Sequence, residues 1–186
     1  MRQVKYLLFL IFSISLFTGC RKEVNFGSLG NFNQKVLLQY EFINYAWGFQ
    51  NSGWFADSTG TVYTYNRPSD WNHCEINETL TEEEMESNLS KCIRPGIYYP
   101  QKRFLSAYNL FKSAKNGKIL GPTQEMFDAG AKVYSCFIYN PTSRTYKKVL
   151  LRETGDFRIE NSSSAAKEIV ELMELITEEL VKQQKI

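Results

Sequence analysis

The stretch from Lys35 to Asn66, KVLLQYEFINYAWGFQNSGWFADSTGTVYTYN, constrains the fold most, because it couples dense strand formers to clear turn residues. It predicts three antiparallel strands. Val36, Leu38, Tyr40, Phe42 and Ala46 alternate on one face of the first, which should look toward a core, while Gln39 and Glu41 lie on the other with Leu37, Ile43, Tyr45 and Trp47. Asp57-Ser58-Thr59-Gly60 then joins GWFAD to TVYTY as a three-residue hairpin, type I turn residues followed by a glycine free to take positive φ. That register sets Phe55 opposite Tyr63 and Trp54 opposite Thr64.

Downstream, the helix start at Thr81 is strongly signalled. Thr81 can cap, Glu84 can close the capping box, Leu80 and Met85 hold staple positions, and Glu82 and Glu83 suit the positive end of the helix dipole. Met85, Leu89, Cys92 and Ile93 are its expected apolar stripe. Pro95-Gly96 should end it, and a second helix should follow Pro100, with Phe104, Leu105, Tyr108 and Phe111 on one face and Gly117 as its stop. Lys112, Lys115 and Lys118 suit that helix's C-terminal end, a reading preferred over an anion site.

A second hairpin is predicted from Lys132–Tyr139, a turn at Asn140-Pro141-Thr142-Ser143, and a return over Tyr146–Arg152. After a turn at Glu153–Asp156, Phe157–Ile159 can add a short strand. Asn161–Ser164 offers caps for a last helix whose Ala166, Ile169, Val170, Met173, Ile176 and Leu180 recur at helical spacing. The predicted order is βββ-αα-ββ-α. Runs of strands and of helices, without strict βαβ alternation, imply an α+β domain with about three helices packed on an antiparallel sheet.

The first 19 residues stand apart. Arg2 and Lys5 precede an apolar run from Tyr6 to Phe17, too short to cross a bilayer comfortably as a helix, and the segment ends in Leu-Phe-Thr-Gly-Cys at Cys20. In these residues the chain resembles bacterial lipoproteins, whose signal peptide is removed before a cysteine that carries acyl chains. The resemblance implies a signal peptide over 1–19 and a lipidated Cys20; the aperiodic mix of charge, Gly and Asn that follows reads as a flexible tether over 20–32, and the rest as one domain over 33–186. It also implies a partner, the membrane, reached through lipid at about 0.8 kcal/mol per buried methylene. Arg21 after the cysteine, rather than aspartate, implies the outer membrane.

Removing the leader takes Arg2 and Lys5 from 22 basic residues, leaving 20 against 20 acidic ones. A neutral mature chain offers no basic field for nucleic acid. With Cys20 lipidated, three cysteines remain; Cys74 and Cys92 are the expected disulfide, against three reduced thiols, and Cys136 is expected as a buried free thiol.

The chain has one histidine. His73 and Cys74 are adjacent on an extended segment, so their side chains point apart and a dyad is not expected. No nucleophile elbow, HExxH, phosphate loop or dinucleotide fingerprint occurs. Asp70, Glu75, Asn77 and Glu78 lack the spacing of a calcium loop. No metal and no cofactor are expected.

Aromatic residues make up 15% of the chain. Tyr45, Trp47, Phe55, Tyr63 and Tyr65 share the odd-numbered face, forming either an exposed strip able to bind sugar, peptide or a partner sheet, or a face covered by the C-terminal hairpin or the helices; the covered reading is preferred. Asp57-Ser58-Thr59 resembles the O-glycosylation site of some exported bacterial proteins. The expected function is a non-enzymatic binding module on the envelope, recognising an envelope protein, peptide or glycan. The alternatives are a glycan hydrolase using carboxylates such as Glu41, Asp57 or Asp156, and a structural or inhibitory module acting through a sheet edge.

Overall fold

The computed structural model describes residues 32–46, 48–183 and 186, and its compact unit is Phe32–Ile186. Among the described residues the chain forms β1 (Val36–Asn44), β2 (Gln50–Asp57), β3 (Val62–Asn66), β4 (Thr79–Thr81), α1 (Glu82–Ser90), α2 (Gln101–Lys115), β5 (Ile119–Gln124), β6 (Ala131–Asn140), β7 (Thr145–Gly155), β8 (Phe157–Asn161) and α3 (Ser164–Lys182). The strands make one antiparallel sheet, ordered β3-β2-β1-β6-β7-β8-β5, with β4 paired to the start of β7. The domain is α+β, as expected.

Local signals act where the sequence put them. Phe55 pairs with Tyr63 and Trp54 with Thr64. The turn closes through Gly60 N–H to the Asp57 carbonyl at 3.2 Å, with Gly60 at φ +94°. A side chain at Gly60 would also meet the Tyr99 carbonyl, 2.1 Å from an ideal Cβ. Thr81 caps α1 with both halves of the capping box formed, and Ser163 caps α3.

Two cores flank the sheet. On one face Leu38, Tyr40, Trp54, Ala56, Tyr134 and Cys136 pack under Phe104 and Phe111 of α2 and Ile169, Met173 and Ile176 of α3. The other face is also buried. Val36, Phe55, Tyr63, Tyr65, Phe137 and Tyr146 pack under Met85 and Leu89 of α1, with Trp71 inserted from the preceding loop. Trp71 lies 4.3 Å from Tyr65 and 5.8 Å from Phe55, ring centre to ring centre. Asn88 Nδ2 donates to the Asn72 carbonyl at 2.8 Å, and Asn72 N–H returns a bond to Asn88 Oδ1 at 2.9 Å, which pins that loop to α1.

Two bulges break the simple alternation. One, between Val36 and Leu38, sends these even-numbered residues to opposite cores. The other lies in β7 where Tyr134 pairs with Arg152 but Ser135 pairs with Leu150. It brings Glu153 onto the face of Lys148, although the two differ in parity.

Three expectations need correction. α1 ends at Ser90, so Cys92 and Ile93 are not part of its stripe; Ile93 exchanges backbone bonds of 2.8 Å with Thr64 at the edge of β3. β4 and β5 were not expected. The residues Ile119–Gln124 contain Gly121 and Pro122, which read as a loop, yet they pair with β8 around an irregularity between Leu120 and Thr123. The expected Cys74–Cys92 disulfide is not formed: both are free thiols, as is buried Cys136. Cys92 Sγ instead reaches the Asn88 carbonyl at 3.3 Å, while Cys74 Sγ turns to the Glu75 carbonyl at 3.7 Å.

Candidate functional site

The lipidation residue Cys20 and the aromatic residue Trp47 lie outside the described residues. The other four members of the aromatic set separate. Phe55, Tyr63 and Tyr65 are buried, whereas Tyr45 is 73% exposed. The strip is therefore mostly core, because α1 and Trp71 cover it, and only its end reaches solvent. There Tyr45 sits 5.2 Å from Phe49, and Phe49 sits 6.1 Å from the imidazole of His73.

Beside this cluster opens a cavity of about 230 Å³, whose lining includes Glu41, Tyr45, His73, Cys74, Lys148 and Glu153. At its floor Lys148 Nζ donates to Glu41 Oε2 at 2.8 Å and to the Cys74 carbonyl at 2.9 Å. Both charged side chains are 5% exposed. Such a pair is held by mutual attraction at short range against a desolvation cost of several kcal/mol per ion. Its bond to the Cys74 carbonyl, with Lys148 N–H to the Glu78 carbonyl at 3.1 Å, ties the 74–78 loop over the sheet.

Glu153 is half-buried on the same face. Burial pushes its carboxyl above the usual range, Lys148 pulls it back, and Glu75 pushes it further up. Tyr45, Ile43, Ala131 and Glu153 also line a neighbouring depression of about 420 Å³, which extends to Asp156 and Phe157. Phe127 and Met126, 81% and 50% exposed, lie in the β5–β6 connection that supplies Asp128 to this depression. The β1–β2 and β5–β6 connections, with Phe157 at the start of β8, thus bring apolar side chains to one end of the sheet.

Two other carboxylates named from the sequence, Asp57 and Asp156, make hydrogen bonds within the fold. Asp57 is 4% exposed and its carboxylate serves the turn, accepting from Thr59 N–H, Thr59 Oγ1, Thr61 N–H and the Tyr63 hydroxyl at 2.6–3.0 Å. Asp156 accepts from Ala129 N–H at 2.8 Å. Cys74 is no activated thiol, since burial raises it to about 11, and Cys92 is raised by burial to about 12. Among the described residues no three His, Cys, Asp or Glu side chains come together to hold a metal. Lys112 and Lys115 sit in the last turn of α2, where they complement its dipole.

Sequence reasoning named Glu41 and Tyr45 but missed Lys148 and Glu153. Lys148 follows Lys147 in a strand and carried no sign of burial. No protein family matches this chain, and neither a curated protein nor a solved structure does so. No helix among the described residues is long and apolar enough to cross a membrane.

Proposed function

We propose that this chain is a lipid-anchored envelope protein, acylated at Cys20, that binds a ligand or envelope partner at the Tyr45 end of its sheet. The carrying observation is the union, at one end of the domain, of exposed Tyr45 and Phe49 with a cavity floored by the buried Lys148–Glu41 pair. Aromatic anchors beside a few fixed polar groups are the usual make-up of a recognition site. The chain enters the domain at Phe32, which packs on Tyr108 of α2, and Tyr45 follows the far end of β1, roughly 30 Å of strand later.

A second reading, a carboxylate-dependent glycan hydrolase, draws on one observation: Glu41, Glu75 and Glu153 line the same cavity, and burial raises Glu153 in the way that suits a general acid. The binding reading is favoured because Glu41 is committed to Lys148 and Asp57 to its turn. The sheet-edge reading draws less support, since Pro122 and the irregularity in β5 blunt the outer edge and Ile93 and Tyr98 bridge to β3 and its turn.

Two measurements test the proposal. Cys20→Ala should abolish incorporation of labelled fatty acid and release the domain from membranes; continued labelling refutes the address. Affinity capture from native envelopes should be lost with Tyr45→Ala and Phe49→Ala combined. Capture unchanged by that double substitution refutes the site, and turnover of a glycan substrate that is lost with Glu153→Gln replaces binding with hydrolysis.

A further inference from the structure

Building on the Tyr45 end as the binding site, we infer that the group admitted by the Glu153 cavity is an organic ammonium ion, held between carboxylates and the faces of Tyr45 and Phe49. At about 230 Å³ the cavity has room for about seven water-sized groups, enough for an ammonium head and a few carbons.

The charge balance of the lining selects the sign. Lys148 and Glu41 neutralise one another at 2.8 Å, which leaves the Glu75 and Glu153 carboxylates facing the cavity with no further lysine or arginine in its lining. Among the described residues no hydrogen-bond donor reaches the Glu153 carboxylate. A cation beside it would favour the ionised form that burial alone disfavours. An anion would meet two carboxylates and a lysine already committed.

The rim selects the kind of cation. Tyr45 and Phe49 are 73% and 45% exposed, and aromatic faces next to carboxylates attract alkyl and methylated ammonium ions through the ring quadrupole. A bare metal ion needs several converging ligands, which the described residues do not assemble.

The test is titration of the full chain in detergent with choline, ethylammonium, propionate and calcium, read by calorimetry and by the ring resonances of Tyr45. An ammonium probe should bind saturably and shift those resonances. Glu153→Gln and Tyr45→Ala should each weaken binding at least tenfold without lowering the thermal midpoint of the unliganded protein. Saturable binding by neither ammonium probe, binding that survives both substitutions, or binding of propionate or calcium in their place overturns the inference. If envelope capture still depends on Tyr45 in that case, the ligand class has failed and the binding site stands. If ammonium binding holds while capture ignores Tyr45, the cavity stands and the envelope role has failed.

Discussion

Lys148 Nζ lies 2.8 Å from Glu41 Oε2, joining strands β7 and β1 across β6 with both charges 5% exposed. The two residues are 107 positions apart in sequence. Removing one partner strands the other in a low-dielectric setting, so Lys148→Met should lower stability by about 3–5 kcal/mol in urea unfolding. The double variant Lys148→Met, Glu41→Leu should recover most of that loss. A double variant as unstable as the single one would mean that the bond to the Cys74 carbonyl, not the charge pairing, is what matters.

Phe55 and Tyr45 began as members of one aromatic face, and their variants should now differ. Phe55→Ala removes a fully buried ring and should cost about 3–5 kcal/mol, including the cavity left behind. Tyr45→Ala should stay within about 0.5 kcal/mol of the parent, as exposed substitutions do. Equal losses in the two thermal or urea unfolding curves would contradict this division of the face.

Asn51→Leu replaces an unpaired buried amide with an apolar group of similar volume. Stability should rise by about 1–3 kcal/mol, the desolvation penalty of the unsatisfied group. A fall in the urea midpoint would show that solvent pairs the amide in the folded protein.

Glu153 links stability to pH with a defined sign. Its folded carboxyl is raised, chiefly by burial and further by Glu75, against the opposing pull of Lys148. The folded state therefore holds this proton more tightly than the unfolded chain does, and the resulting stabilisation is present at low pH and lost as pH rises through the folded value. Glu153→Gln should then be more stable than the parent at pH 7, with the advantage shrinking as both are taken below pH 4.5. Urea midpoints across that range check it, and an advantage that grows on acidification would reverse the assignment.

The thiols give a chemical check on the corrected cysteine pairing. Non-reducing peptide mapping of the folded domain should show Cys74, Cys92 and Cys136 unbridged, with Cys136 alkylated only after unfolding, because it is fully buried and burial raises its thiol well above the usual range.

Much of the fold was legible because its signals are short in range. The Asp57–Gly60 turn, the Thr81–Glu84 box and the Ile169–Leu180 stripe each act within a few residues, so composition and spacing carry them whatever the rest of the chain does. The β5 strand was hidden because Gly121 and Pro122 have poor strand propensity and its pairing with β8 comes from residues 33–42 positions away.

The sequence by itself determined an α+β domain, the register of its β2–β3 hairpin and the starts of its helices, since these depend on side-chain period and local hydrogen bonds. Tertiary structure alone decided what covers the second face of the sheet, where Trp71 and α1 turn three of the aromatic candidates into core. It also decided the site. Strand alternation separates Lys148 from Glu153, and only the bulge in β7 returns both to the side on which Glu41 waits two strands away. That placement rests on one extra residue against a partner strand, a relation between distant segments that no local window contains.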